Sequence, residues 1–167
     1  SAMPDAISNT SPLVYLYRIQ AIEWLPELFG NVYVPTAVVD ELKEGQRRGF
    51  DVPNPSIYSG FRIADPRATP SEWLSLDLGP GELAAMALAL ENRTRVVLLD
   101  DLLARRTAQA AGLMVWGTLK VLLEAKSQSL TERIEPFVNR LSETGMWLSD
   151  EIRERILALA GETAAKA

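Results

Sequence analysis

The sequence predicts an α/β domain in which helices cover both faces of a parallel sheet. Two observations carry that reading. Short β-like apolar runs alternate with stretches of helical periodicity along the chain, the pattern of strand–crossover–strand units. The run 95–99 (Arg-Val-Val-Leu-Leu) is almost continuously apolar, as a strand buried on both faces requires. No repeat, low-complexity tract or linker interrupts the 167 residues, so a single domain over 4–160 is expected.

The first strand is expected over 6–8 and stops at Asn9. Ser11-Pro12 then starts a helix, because Ser caps free N–H groups and Pro is tolerated in the first turn. Leu13, Leu16, Tyr17 and Ile19 continue it at helical spacing. A short helix over 22–29 is ended by Gly30-Asn31. Val32-Tyr33-Val34 is a strand stopped by Pro35, and Thr36 is expected to cap a helix reaching Arg47, with Val38, Val39 and Leu42 inward. Prolines and glycines make 49–60 a loop, before a strand over 61–63 and a second loop over 65–80. A helix over 81–91 buries Leu83, Met86, Ala87 and Leu90. The central strand follows at 95–99, then Asp100-Asp101 and a helix to Ala111 ended by Gly112. A strand over 113–116 leads through Gly117-Thr118 into a helix over 119–127. The last elements expected are a helix over 131–143, a short strand over 146–148 and a helix over 150–160. Ser1-Ala2 ahead of Met3 reads as an expression-tag remnant, and the tail 161–167 is expected to fray.

Composition excludes whole classes of chemistry. The chain has no cysteine and no histidine, which removes disulfides, thiolate or imidazole metal sites, cysteine nucleophiles and histidine triads. Any catalysis rests on carboxylates, hydroxyls, Lys or Arg. The longest uncharged apolar stretch, 83–90, has eight residues, against the ~20 of a spanning helix. With no signal peptide read either, a cytoplasmic protein is expected. The 22 acids exceed the 17 bases, for a net charge of −5. That balance does not itself suggest a phosphate-binding surface, but clustered acids can be neutralised by a bound cation. Phosphate-loop, dinucleotide and nucleophile-elbow motifs are absent from the sequence.

In parallel α/β sheets, functional groups gather beyond the carboxyl ends of the strands. Asn9, Asp100 and Asp101 fall there, Glu41 lies in the helix after the second strand, and Glu82 lies in the first turn after Gly79-Pro80-Gly81. Singly, each has a plain alternative as a turn residue, a cap or a solvated acid. Together they are hard oxygen donors of the kind Mg²⁺ or Mn²⁺ takes, and metal-assisted hydrolysis of a phosphodiester is the matching chemistry. Arg105 and Arg106, like Lys120 and Lys126, either contact phosphate or face solvent. Trp24, Trp73, Trp116 and Trp147 are read as packing residues.

Five segments, in order, resemble the PIN-domain family: Ile7-Ser8-Asn9-Thr10-Ser11-Pro12-Leu13; Val34-Pro35 with Val38-Val39-Asp40-Glu41-Leu42; Leu78-Gly79-Pro80-Gly81-Glu82; Leu98-Leu99-Asp100-Asp101 with Ala104-Arg105-Arg106; and Gly112-Leu113 through Gly117-Thr118-Leu119. The likeness spans nearly all of 4–160 and is similar to a prokaryotic subgroup opening with Ser-Asn-Thr-Ser-Pro-Leu. It implies a three-layer α/β/α sandwich and an Mg²⁺- or Mn²⁺-dependent ribonuclease. Many such proteins are toxins held in check by a small antitoxin protein. The resemblance puts the family's four acidic positions on Asn9, Glu41, Glu82 and Asp100, with Asp101 an alternative to Asp100. Thr10 or Ser11 would bring a hydroxyl near the metal. Asn9 departs from the usual Asp, which leaves open a protein- or RNA-binding module that does not cleave, and nothing in the sequence separates RNA from DNA as substrate. A homodimer is expected, both from the resemblance and because Tyr15, Tyr17, Ile22 and Trp24 offer more apolar surface than one sheet face covers.

Overall fold

The computed structural model describes residues 3–162. Its sheet has five parallel strands: β1 (Ala6–Ser8), β2 (Val32–Val34), β3 (Phe61–Ile63), β4 (Val96–Leu98) and β5 (Met114–Trp116), in the order β3-β2-β1-β4-β5. Eight helices surround it: α1 (Thr10–Arg18), α2 (Trp24–Leu28), α3 (Thr36–Arg47), α4 (Pro80–Glu91), α5 (Leu102–Ala110), α6 (Thr118–Ser127), α7 (Glu135–Glu143) and α8 (Asp150–Leu159). Single 3-10 turns at Pro55–Ile57 and Ser71–Trp73 punctuate the two expected loops.

Alternation along the strands divides the core into two layers, since successive side chains leave a strand on opposite faces. Ala6, Val32, Val34, Val96 and Leu98 pack with α1, α2, α3, α6, α7 and α8. Ile7, Val97 and Leu99 pack with α4 and α5 through Ala85, Met86, Ala89, Ala104 and Ala108. The small residues of α4 and α5 bring their helices close to the sheet. This is the expected three-layer α/β/α sandwich. β1 lies at the centre, and strand order runs outward from it in both directions. The crevice between the carboxyl ends of β1 and β4 is therefore the topological switch point, where ligands of such sheets bind.

Several expected boundaries move, each for a physical reason. Helix α1 starts at Thr10, with Asn9 in the capping position but making no cap bond. Thr36 is not a cap: Pro35 occupies that position, and the Thr36 N–H and hydroxyl both donate to Asp65 (2.8 and 2.6 Å). Helix α7 begins only at Glu135, because Pro136 is tolerated in a first turn and not further in. The segment 146–148 is not a strand. Met146 and Leu148 pack onto the core beside α6 to α8 while Trp147 points outward, so the alternation marks one buried face and no ladder. Glu162, expected in the frayed tail, accepts from the Ile134 and Glu135 N–H groups and pairs with Lys126 at 2.9 Å. Expectations for residues 1–2 and 163–167 lie outside the described residues.

The surface argument for a homodimer does not survive. Ile22 is buried, Trp24 packs against Phe137 of α7 with ring centroids 4.6 Å apart, and the Tyr17 hydroxyl donates to Asp51 at 3.0 Å. The C-terminal helices cover the face that the sequence leaves without a partner.

Candidate active site

The carboxyl ends of β1 and β4 and the N-terminal turn of α4 meet in one cleft. Asn9 follows β1 directly and is only 5% exposed. Its side chain makes no hydrogen bond among the described residues. Arg95 Nε is the single fully buried side-chain polar atom left without a partner there, so the Asn9 amide keeps its access to the cleft. Glu41 reaches the same place from α3, where its Oε1 accepts from the Thr10 hydroxyl at 2.9 Å. Between them lies Gly81. A Cβ on Gly81 would collide with Glu41 Oε1 and come within 3.0 Å of Asn9 Oδ1, so only glycine leaves the space these two oxygens occupy. Glu82, next in the chain, accepts the Gly79 N–H at 2.9 Å, closing the first turn of α4 on itself.

Asp100 forms the other side. Its Oδ1 accepts the Thr118 N–H (2.8 Å) and its Oδ2 the Thr118 hydroxyl (2.7 Å). Thr118 is fully buried at the start of α6, so the carboxylate also favours that helix's N-terminus. The Arg105 guanidinium lies across Gly117, where a Cβ would meet Nη1 at 2.5 Å and Asp100 Oδ1 at 3.2 Å.

The two sides differ electrostatically. Burial pushes the Glu82 carboxyl above its usual range; the Gly79 N–H opposes this, while Asp101, Glu41 and Asp77 push it further up. Burial also raises Asp100, against the Thr118 hydrogen bonds and the Arg105 charge, which favour its ionised form. Tyr15 beside it is raised by burial and by the Asp100 carboxylate.

Of the sequence-predicted residues, Asn9, Glu41 and Thr10 come together around Gly81, Glu82 lies within electrostatic reach of Glu41, and Asp100 with Arg105 makes a second group. Ser11 shows no side-chain hydrogen bond among the described residues. Asp101 caps α5, accepting the Ala104 N–H at 3.0 Å, and still acts on Glu82 through its charge. Arg106 turns away, beside Glu72 and Trp73, and Lys126 is tied to the Ala160 carbonyl and Glu162. Sequence reasoning missed Thr118 as the support of Asp100, and Gly81 and Gly117 as residues that must lack a side chain. The glycines stood inside quoted motifs, but their role is visible only once α3 and α5 are placed against them.

The oxygen-only donor set is of the kind a hard divalent cation takes. Among the described residues, however, no three acidic side chains converge on one point. Each is held by a backbone or hydroxyl donor of the protein instead. A model of the DUF3368 family, described as a PIN domain, matches residues 5–162. The chain belongs to the PIN-domain family. Comparison with curated proteins and with solved structures gave no match. A PIN domain is a nuclease-type fold whose members typically use divalent metal ions, and the cleft described here lies where the sheet's topology puts its functional groups. No helix among the described residues is long and apolar enough to cross a membrane.

Proposed function

We propose that this PIN domain is an Mg²⁺- or Mn²⁺-dependent endoribonuclease that hydrolyses RNA phosphodiesters, and that it is the toxin of a toxin–antitoxin pair. The carrying observation is the meeting of Asn9 and Glu41 around the bare Gly81, with Glu82 within electrostatic reach of Glu41, at the carboxyl ends of the strands that Asp100 also follows. Asn9, Glu41, Glu82 and Asp100 are the residues that would hold the metal, with Asp101 adding charge behind Glu82. A divalent ion supplies an acidified water and neutralises charge developing on a phosphodiester. The chain's own residues do the rest. Thr10 and Thr118 fix the rotamers of Glu41 and Asp100, and Arg105 faces the phosphate anion that the acids would otherwise repel. The reading implies a cytoplasmic protein with RNA as substrate and a small antitoxin protein as partner. A homodimer would use a face other than the one covered by α7.

Cleavage of a mixed RNA pool with Mn²⁺, compared with Glu82→Gln, tests the activity. Loss of cleavage in the variant is expected. Equal cleavage by both proteins would remove the acids from the chemistry, and cleavage of single-stranded DNA instead of RNA would reassign the substrate. The second reading is a binding module that does not cleave. It is favoured by the amide at position 9 and by the lack of convergence among the acids, and pure protein that retains RNA but never cuts it would select it.

A further inference from the structure

A groove of about 500 Å³ runs from Asp100 to Trp147, within the size range of small-ligand clefts. Its floor and walls are largely apolar, with Leu119 of α6 and Tyr15 of α1 among them, and Arg105 and Lys120 stand along it. Trp147 lines the groove while 81% exposed, although Met146 and Leu148 on either side of it are packed on the core. The loop is thus anchored by its neighbours while the indole is left free. An exposed apolar side chain alone means little. Here it stands on a concave surface with two cations, which reaches Asp100 at its other end.

We propose that this groove is a nucleotide subsite in which an unpaired base of single-stranded RNA stacks on Trp147, with its phosphates toward Arg105 and Lys120. The proposal rests on the nucleic-acid reading above and adds the residue that grips the substrate beside the cleavage site. The chemistry of a nucleotide matches the groove at both ends: a flat π surface for the indole, and an anion for the guanidinium and ammonium. Lys120 also pairs with Glu124 at 3.0 Å, an exposed pair that a phosphate can replace at small cost. A cationic peptide segment fits less well, since Arg105 and Lys120 would repel it. Base-paired RNA keeps its bases stacked inside the duplex and cannot present one to Trp147.

Binding without metal separates this proposal from the nuclease reading. Fluorescence anisotropy of a labelled single-stranded 12-mer RNA, in EDTA at low salt, would compare wild type with Trp147→Ala and Trp147→Phe. Trp147→Ala should weaken binding about five- to hundredfold, the range for losing one base–aromatic stack. Trp147→Phe should keep most of the affinity, and a perfect RNA duplex should bind equally to all three. Tryptophan emission of the wild type should be quenched by the RNA, and most of that quenching should be missing in Trp147→Phe. Equal single-strand affinity in wild type and Trp147→Ala, an equal loss for duplex, or no saturable binding by wild type would each overturn the proposal. Binding through Trp147 by a protein that never cleaves would leave this subsite standing and sink the nuclease reading instead.

Discussion

Glu82 stands in the first turn of α4 and Asp100 follows β4, and burial raises the proton affinity of both. They are supported in opposite ways. Asp100 has two hydrogen bonds from Thr118 and the Arg105 cation beside it. Glu82 has one N–H, from Gly79, and otherwise meets the charges of Asp101, Glu41 and Asp77. The Asp100 side is therefore compensated within the protein. The Glu82 side, with Glu41 and the unbonded Asn9, has one donor for each carboxylate and like charges around Glu82. Hydrogen bonds and a cation offset part of the cost of burying a carboxylate, whereas neighbouring like charges add repulsion to it.

The largest expected effect breaks the uncompensated side. Gly81→Ala puts a methyl where Glu41 Oε1 and Asn9 Oδ1 lie. Mn²⁺ affinity, read by calorimetric titration, should fall about 10- to 100-fold, while melting shifts little because the Glu41 side chain can swing away. Gly117→Ala meets mainly the flexible end of Arg105 and should leave Mn²⁺ affinity within about threefold, a difference of well under 1 kcal/mol. Equal losses in the two variants would erase the distinction between the sides.

Thr118→Val attacks the compensated side by removing the hydroxyl that Asp100 Oδ2 accepts. Leaving a buried acceptor short of a partner costs about 1–3 kcal/mol. Chemical denaturation should show that loss, larger at pH values where Asp100 is ionised than where it is protonated.

Asn9→Asp sharpens the contrast by adding a charge beside Glu41. Mn²⁺ should bind about tenfold tighter, the scale of one screened carboxylate near a divalent ion, and the metal-free protein should melt lower. Unchanged affinity, with binding still lost in Glu82→Gln, would place position 9 outside the ligand set.

The smallest effect concerns protons. Because the Glu82 and Asp100 pKa values are raised by folding, the folded state keeps protons that the unfolded chain has released. That contribution to stability is complete below the unfolded carboxylate pKa and is lost as pH rises through the folded one. In EDTA at pH 7, Glu82→Gln and Asp100→Asn should therefore melt a few degrees above wild type, with the gain vanishing toward acid. The gain should be clearer for Glu82→Gln, which removes repulsion, than for Asp100→Asn, which also disturbs the Thr118 and Arg105 contacts. Both variants melting below wild type would mark the acids as structural.

Much of the fold was legible in residue order because it depends on local rules. The five strands fall where short apolar runs end at Asn9, Pro35, Ala64, Asp100 and Gly117. The helices follow their caps and proline positions to within a few residues. The error at 146–148 shows the limit: period-two burial is also produced by a loop lying on a core, and only a hydrogen-bonded neighbour makes a strand. The candidate site was legible as a set of residue types, Asn9, Glu41, Glu82 and Asp100, but not as a geometry. From the sequence, Asp100 is the preferred residue and Asp101 a close alternative to it. The structure separates them, because Asp101 faces the N–H groups of α5 and Asp100 those of α6.

What the sequence determined by itself is whatever follows from periodicity and composition: the alternating elements, the parallel sheet, and an active-site chemistry confined to oxygen donors. What only the tertiary structure decided is whatever depends on distant segments meeting. Thr118 is 18 residues from Asp100 and Glu41 is 31 from Thr10; Gly81 lies 72 residues from Asn9 and 40 from Glu41 in the chain. The exposure of Trp147 was equally out of reach, since an indole between two apolar neighbours reads as core. Burial is a property of what packs against a residue, and that partner is chosen by the whole fold, not by the residues beside it.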